Sequence, residues 1–421
     1  MKHPAHHIFE FTPETLAAWC EARRMPKFRA TQILEWVYEK GIADPAAMSN
    51  LSRLDRETLS REMVFLSGEV LAEKNASDGT RKLLVQWRDY SEDVKLATPT
   101  PQPPPSGRGA LNVLGQAVGD PSRQTECVMI PSMPRDEEEQ GEGWEGDEEE
   151  SGPARRAGLP RSGPPRAALA RFTACISSQV GCPVGCKFCA SGLTGLDHNL
   201  SAGRIVEQVW RLARLEGVRR ITNVVFMGMG EPLSNLGAVV PAIRTLNALW
   251  GMGISARKIT ISTVGLPKAI EKLASQLDLP VTLALSLHAP NDDLRRQLIP
   301  WAEYTTVADL LAACRAWFER TGREVTLEYT LLRGVNDRPE HATQLAGIAR
   351  TLRGNVNLIR YNEVVGLPFQ RPHTEDVRAF QRTLRAAGIK AHIRASRGRD
   401  IEAACGQLRH ENRKDAPLAA S

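Results

Sequence analysis

The chain predicts an α/β protein built on a parallel sheet, and three observations carry that reading. From Arg171 onward, short β-branched and apolar runs alternate with amphipathic stretches at helical spacing, the pattern of repeated βα units. Composition permits a large core: 421 residues with 42% hydrophobic and 24% charged are globular proportions, which excludes a wholly disordered or fibrous chain. The polar punctuation falls at the ends of the apolar runs, where a parallel sheet or barrel collects its chemistry. A doubly wound sheet and a sheet curled into a full or partial barrel both satisfy this pattern.

The elements follow in order. Residues 1–92 read as a helical module, with apolar positions at helical spacing in Phe28 to Tyr38 and again from Leu51 to Leu59. A strand is expected at Leu83 to Trp87, preceded by the turn Ser77-Asp78-Gly79-Thr80, whose Asp-Gly pair supplies the positive φ of a tight turn. Between Pro99 and Arg166 lie 12 of the 27 prolines, so residues 93–170 are expected to be largely flexible around one strand at 124–131. Inside that insertion Asp136 to Glu150 holds ten carboxylates without a Lys or Arg, a solvated, self-repelling run rather than a metal site.

Residues 171–405 then form the βα series. Strands are expected at Phe172 to Ser177, Asn223 to Phe226, Lys258 to Thr263, Val281 to Leu287, Glu324 to Thr330, Val356 to Arg360 and Ala391 to Arg394. Helices are expected across Ile205 to Leu215, Val239 to Leu249, Ala308 to Phe318 and Asp376 to Ala387. A polar tail closes the chain over 406–421. No apolar run reaches the roughly 18 residues of a membrane span, and the N-terminus lacks the apolar core of a secretory signal, so a cytoplasmic protein with no membrane partner is expected.

Of eight cysteines, four fall between Cys175 and Cys189. Cys182, Cys186 and Cys189 have C-x3-C-x2-C spacing directly after the first strand of the βα series. Three thiolates on one loop can hold three irons of a [4Fe-4S] cluster and leave the fourth iron open to substrate atoms. A structural zinc site normally takes four ligands, and no CxxC or HxxxH partner follows this loop to supply the rest. Met227-Gly228-Met229-Gly230-Glu231-Pro232 ends the second strand; its glycines permit close backbone approach to a ligand, and Glu231 can accept from an ammonium group. It lacks the third glycine of a dinucleotide-binding GxGxxG. Ser262, Ser286, Leu287, His288 and Asn362 close later strands, where a lone Ser or Asn is as often a turn cap as a ligand.

The C-x3-C-x2-C spacing with Phe188 before the last cysteine resembles the radical S-adenosylmethionine (SAM) superfamily, and the resemblance narrows further. CISSQVGCPVGCKFCA, VVFMGMGEPLSN, SLHAPND, VNLIRYN and RGRDIEAACGQL are similar to the RlmN and Cfr family of RNA adenine methyltransferases, as are FRATQILEWVYEKG and SDGTRK near the N-terminus. It implies a partial (β/α)6 TIM-like barrel with an N-terminal RNA-binding module, a cluster on Cys182, Cys186 and Cys189, and SAM held by Gly230, Glu231, Ser262, Ser286, Leu287, His288 and Asn362. It also implies that Cys405, otherwise an ordinary buried cysteine by type, takes a methyl group from a first SAM as a thiolate. A second SAM then yields the radical that activates this methyl group, which adds to the adenine ring carbon. Cys175, otherwise a small strand residue, would attack the Cys405 sulfur and leave a disulfide for a cytoplasmic reductant. Glu126 would accept the ring proton.

The implied partners are 23S rRNA, with tRNA as a second substrate, and an electron donor such as flavodoxin or ferredoxin; a monomer is expected. GMGEPL and the SRGRDIEAACGQL ending look more like the RlmN branch, with C2 as target, than the Cfr branch, with C8. A metal-stabilised RNA-binding protein is the non-enzymatic alternative. Charge fits a polyanionic ligand: the overall +5 conceals the acidic run, and the remainder of the chain carries +15. Arg394, Arg397 and Arg399, beside Cys405, are the arginines expected to hold phosphates near an extruded base.

Overall fold

The computed structural model describes residues 1–90, 120–132 and 171–408. The acidic run Asp136 to Glu150, the rest of the insertion apart from 120–132, and the tail beyond Leu408 lie outside the described residues.

Near the N-terminus, Thr12 opens α1 (Pro13–Glu21) by accepting from the Thr15 backbone N–H, with Pro13 in the first turn, where its missing N–H costs nothing. The periodic stretch from Phe28 forms α2 (Arg29–Leu34) and continues into a wider turn, Glu35–Glu39, in which Lys40 N–H donates to the Glu35 carbonyl at 3.0 Å. Ser52 caps α3 (Arg53–Glu62). Their apolar faces bury Leu16, Trp19, Ile33, Val37 and Leu59.

The Asp-Gly turn joins two strands, β1 (Gly68–Asn75) and β2 (Arg81–Trp87), with Gly79 at φ 79° and Thr80 N–H bonded to Asp78. β2 pairs antiparallel with β3 (Gln124–Pro131), and β3 with β4 (Phe172–Cys175). The hairpin therefore extends the main sheet rather than standing apart with the helices, and the strand inside the long insertion bridges it to the βα series. Only the second of the hairpin strands is legible from the sequence. β1 alternates weakly, with mostly half-buried residues.

Seven parallel strands follow: β4, β7 (Asn223–Phe226), β8 (Ile259–Thr263), β9 (Thr282–Ser286), β10 (Val325–Leu331), β11 (Gly354–Arg360) and β12 (Ala391–Arg394). The crossovers carry α4 (Ala202–Leu212), α5 (Leu236–Asn247), α6 (Pro267–Gln276), α7 (Asp292–Leu298) with α8 (Val307–Thr321), α9 (Pro339–Ala349) and α10 (Thr374–Ala386). Helices α6, α7 and α9 carry no sequence expectation: α6 and α7 bury two residues each, and three of the four that α9 buries are alanines, which mark a face weakly. A small hairpin, β5 (Gln179–Gly181) with β6 (Leu196–Asn199), interrupts the first crossover and brackets Cys182 to Cys189.

The sheet runs in the order β1-β2-β3-β4-β7-β8-β9-β10-β11-β12 and does not close by hydrogen bonds. It nevertheless curls, because the segment after β12 reaches the hairpin at the opposite edge. Ser77 N–H donates to Asp400 at 2.8 Å, Gly398 N–H to Asp78 at 2.9 Å, and Lys82 Nζ to the Glu402 carbonyl at 3.0 Å. Arg394 on β12 also reaches the Met227 sulfur, just past β7, at 3.0 Å. This is a partial barrel whose gap is spanned by side chains. Among the described residues no helix is long and apolar enough to cross a membrane.

Candidate active site

The three motif cysteines occupy a loop pinned at its base. Cys182 N–H donates to the Gly195 carbonyl at 2.7 Å, across the β5–β6 hairpin, and Lys187 N–H to the Leu298 carbonyl at 3.0 Å. Gly181 sits at φ 76°, and a Cβ there would lie 2.0 Å from the Gly195 oxygen. Gly181→Ala is therefore expected to displace the loop, at a cost of about 1–2 kcal/mol from the left-handed backbone alone, and to lower iron and sulfide content per chain after reconstitution. Wild-type content would show that the loop absorbs the clash.

Cys182, Cys186 and Cys189 line one cavity of about 140 Å3 with Gly230, Glu231, Ser262, Ser286 and His288. Burial pushes all three thiols upward, Cys182 to about 12, and the other two thiols push Cys186 further. Bound iron supplies the positive charge that lets such thiols ionise. Among the described residues no three Cys, His, Asp or Glu side chains converge as a single metal ion requires; a cluster that takes one thiolate per iron has no such requirement. A soft three-thiolate donor set, with polar groups facing its open side, fits a [4Fe-4S] cluster with SAM beside it.

On that facing side, Gly230 has φ 103° and a Cβ would come within 2.6 Å of Gln179. Glu231 is buried; its carboxylate accepts from the backbone N–H groups of Leu233 and Val264, each at 2.9 Å, yet burial still raises its proton affinity. The Ser262 and Ser286 hydroxyls lie 3.2 Å apart. His288 holds a positive φ of 55°, and its Nδ1 accepts from Thr330 N–H at 3.0 Å, which leaves the proton on Nε2; burial and Arg295 push it down to about 3, so it is neutral. Leu287 differs from its neighbours. Its side chain is fully buried in the main core and does not line the cavity, because alternation along the strand turns it outward toward the helices.

A second cavity, about 280 Å3, adjoins the first and shares Met227, Ile359, Cys405 and Leu408 with it. Cys175 lines the second cavity, and Cys405 stands where the two meet. The Cys405 loop is clasped to the cluster loop: Ala190 N–H donates to the Gly406 carbonyl at 2.8 Å, and Ser191 Oγ to the Leu408 carbonyl at 2.6 Å. Asn362 lines this cavity rather than the first; its Nδ2 donates to the Cys405 carbonyl at 3.2 Å and its Oδ1 accepts from Arg371. Cys405 opens to the cavity yet is ringed by protein, and desolvation raises its thiol to about 11, with Arg394 opposing. Burial, then the Cys405 thiol, raises Cys175 to about 12, again against Arg394. All eight cysteines are free thiols, so the disulfide expected of the reaction is absent from the resting fold.

Glu126 is buried on β3 and lines neither cavity. Register places it on the inner face: Val128 pairs with both Cys175 and Lys82, and residues two apart share a face. Its Oε1 lies 2.7 Å from Lys82 Nζ. Two other groups escaped the sequence reading, Glu328, which lines the first cavity and accepts from Asn357 at 3.2 Å, and Arg171, which joins Arg394 and Arg397 around the second. Arg399 does not line it. The available signal for Lys82 and Glu328 was a charge embedded in an apolar strand run, RKLLVQW and VTLEYTL.

Comparison with known proteins agrees with this arrangement. Residues 176–346 match the radical SAM superfamily, and residues 6–65 match the ribosomal RNA large subunit methyltransferase N-terminal domain. A probable dual-specificity RNA methyltransferase RlmN of Gloeobacter violaceus is 38% identical over 97% of this chain and 96% of its own length. That of Thermosynechococcus vestitus is 40% identical over 94% and 95%. A radical SAM methyltransferase of Sphaerobacter thermophilus superposes with a TM-score of 0.77 at 36% identity, covering 96% of this chain and 99% of that one. With near-full-length relatives at this identity and an N-terminal region of the same type, the chain belongs to the RlmN family of radical SAM RNA methyltransferases.

Proposed function

We propose that this chain methylates C2 of an adenine in 23S rRNA, and of an adenine in tRNA, through a methyl carrier at Cys405 and a transient protein–RNA link. The observation that carries the reading is the position of Cys405 at the junction of two cavities, one holding the cluster cysteines and the other Cys175. A [4Fe-4S] cluster and SAM are the cofactors of the family, and together they supply one-electron cleavage of SAM to a hydrogen-abstracting radical.

The chain's own residues divide the remaining work. Cys405 accepts the methyl group, and the clasp on Gly406 and Leu408 keeps its sulfur within reach of the first cavity. Gly230, Glu231, Ser262, Ser286 and neutral His288 present the polar groups for SAM; Leu287 can contribute only backbone, and Asn362 acts by tethering Cys405. Glu126 takes the proton from the attacked ring carbon. The Cys175 thiolate then attacks the Cys405 sulfur: an S–S bond forms, the sulfur–methylene bond breaks, and the carbon leaves with the electron pair and gains a proton to become the methyl group. Arg171, Arg394 and Arg397 line the second cavity and supply cations for phosphates flanking the extruded base. A flavodoxin- or ferredoxin-type donor, a monomeric state and a cytoplasmic setting complete the reading.

Mass spectrometry of nucleosides from treated 23S rRNA tests it. The expected product is 2-methyladenosine; 8-methyladenosine without the 2-methyl isomer would assign the chain the C8 chemistry instead.

A further inference from the structure

Lys82 is buried, 3% exposed at its side chain, against a Glu126 carboxylate that is 1% exposed. A lysine rarely occupies such a place unless it is paired. It makes two connections. Its Nζ lies 2.7 Å from Glu126 Oε1 and donates to the Glu402 carbonyl at 3.0 Å, three residues before Cys405. Lys82, Glu126 and Cys175 share one face of the sheet through the Val128 register. The same hairpin grips the segment further upstream, through Ser77 to Asp400 and Gly398 to Asp78.

We infer that Lys82 is a positioning residue for adduct resolution: its ammonium keeps the buried Glu126 ionised as a base and fixes that base in register with the segment carrying Cys405. The inference rests on the reading of Glu126 as the proton acceptor. Burial alone favours the neutral carboxylic acid, whereas an adjacent ammonium favours the carboxylate. Cys175 is the other titratable group that register places on this face, with Cys405 and Arg394 acting on it, and the Glu402 contact of Lys82 is to a backbone carbonyl, which does not titrate. On the opposite face of β3 stands Cys127, near Glu207 and Arg211 of α4. Lys82 is in direct contact with the Glu126 carboxylate.

The test follows decay of the covalent protein–RNA adduct against pH in single-turnover reactions of reconstituted full-length protein. Lys82→Gln keeps a donor for both oxygens and removes the charge; Lys82→Met removes both. Each is expected to slow decay at neutral pH, and in Lys82→Gln the rate should recover as pH rises, its acidic limb moving up by about 1–3 pH units. Lys82→Arg should restore the wild-type profile. Methylation of Cys405, read by mass of the protein, should proceed in all three. Should Lys82→Met fail to fold, Lys82→Gln carries the test. A folded Lys82→Gln protein with the wild-type rate and profile overturns the inference. Glu126→Gln, run alongside, separates the two readings: normal decay in that variant removes Glu126 as the base, whereas a stalled Glu126→Gln beside an unaltered Lys82→Gln removes only the role of Lys82.

Discussion

Replacing Cys175 with alanine is expected to halt turnover and leave RNA attached covalently to Cys405, visible as a shifted band on a denaturing gel that nuclease treatment collapses. The two cysteines border one cavity, and the Cys405 thiol raises the proton affinity of Cys175. With the attacking thiol removed, the carrier reaches the adduct once and cannot be released. The fold should tolerate the change, since Cys175 and alanine are both small and the strand's hydrogen bonds run through the backbone. Normal multiple turnover by Cys175→Ala would refute the resolving role without touching the assignment of the cluster cysteines.

The second large effect concerns stability. Glu207 on α4 is fully buried and accepts from Ser67 N–H and Oγ at 2.8 Å each, from Gly68 N–H at 3.0 Å and from Arg211 Nε at 2.9 Å, with His7 Nε2 at 3.1 Å. One carboxylate thus joins the N-terminal segment and the hairpin to the barrel. Burial by itself would raise its pKa, but Arg211 and the hydrogen bonds from His7 and Ser67 outweigh that and hold it at about 2, against an ordinary 4.5. A depressed carboxylate stabilises the fold above its unfolded value and loses that contribution as pH falls toward the folded one. The difference corresponds to about 3 kcal/mol at neutral pH, comparable with the cost of removing one member of a buried pair. Glu207→Gln is therefore expected to lower the urea midpoint at neutral pH, with the gap from wild type narrowing as pH drops from about 4.5 toward 2. Equal midpoints at neutral pH would show that the network contributes nothing net.

Legibility in the sequence varied with how local each feature is. The proposed cluster ligands are legible because all three lie on one loop and their spacing is itself the signal. Gly230 and Glu231 could be read because a glycine-rich strand end followed by a carboxylate is itself a ligand-approach signal. All seven parallel strands are visible as apolar runs, with ends displaced by no more than two residues, whereas β1 and the β5–β6 hairpin are not, because their residues are half-exposed or too few to alternate.

Residues that act across the fold were different. Leu287 and Asn362 stand beside polar strand ends, but pleat and curvature send the first into the core and turn the second toward the backbone of Cys405. Arg399 is near Cys405 in the chain but does not line the cavity, whereas Arg171, from before the first barrel strand, does so beside Arg394 and Arg397. Lys82 meets Glu126 only because β2 and β3 pair in one register, across an insertion that separates them in sequence.

Chain order and residue type alone thus carry the family, and they mark the loop proposed to bear the cofactor and the two lone cysteines proposed to react. Which side chains face each other, and that the last loop folds back onto the first strands, depends on strand register and on the curl of an open sheet. Both arise from long-range packing, and local periodicity carries no record of either.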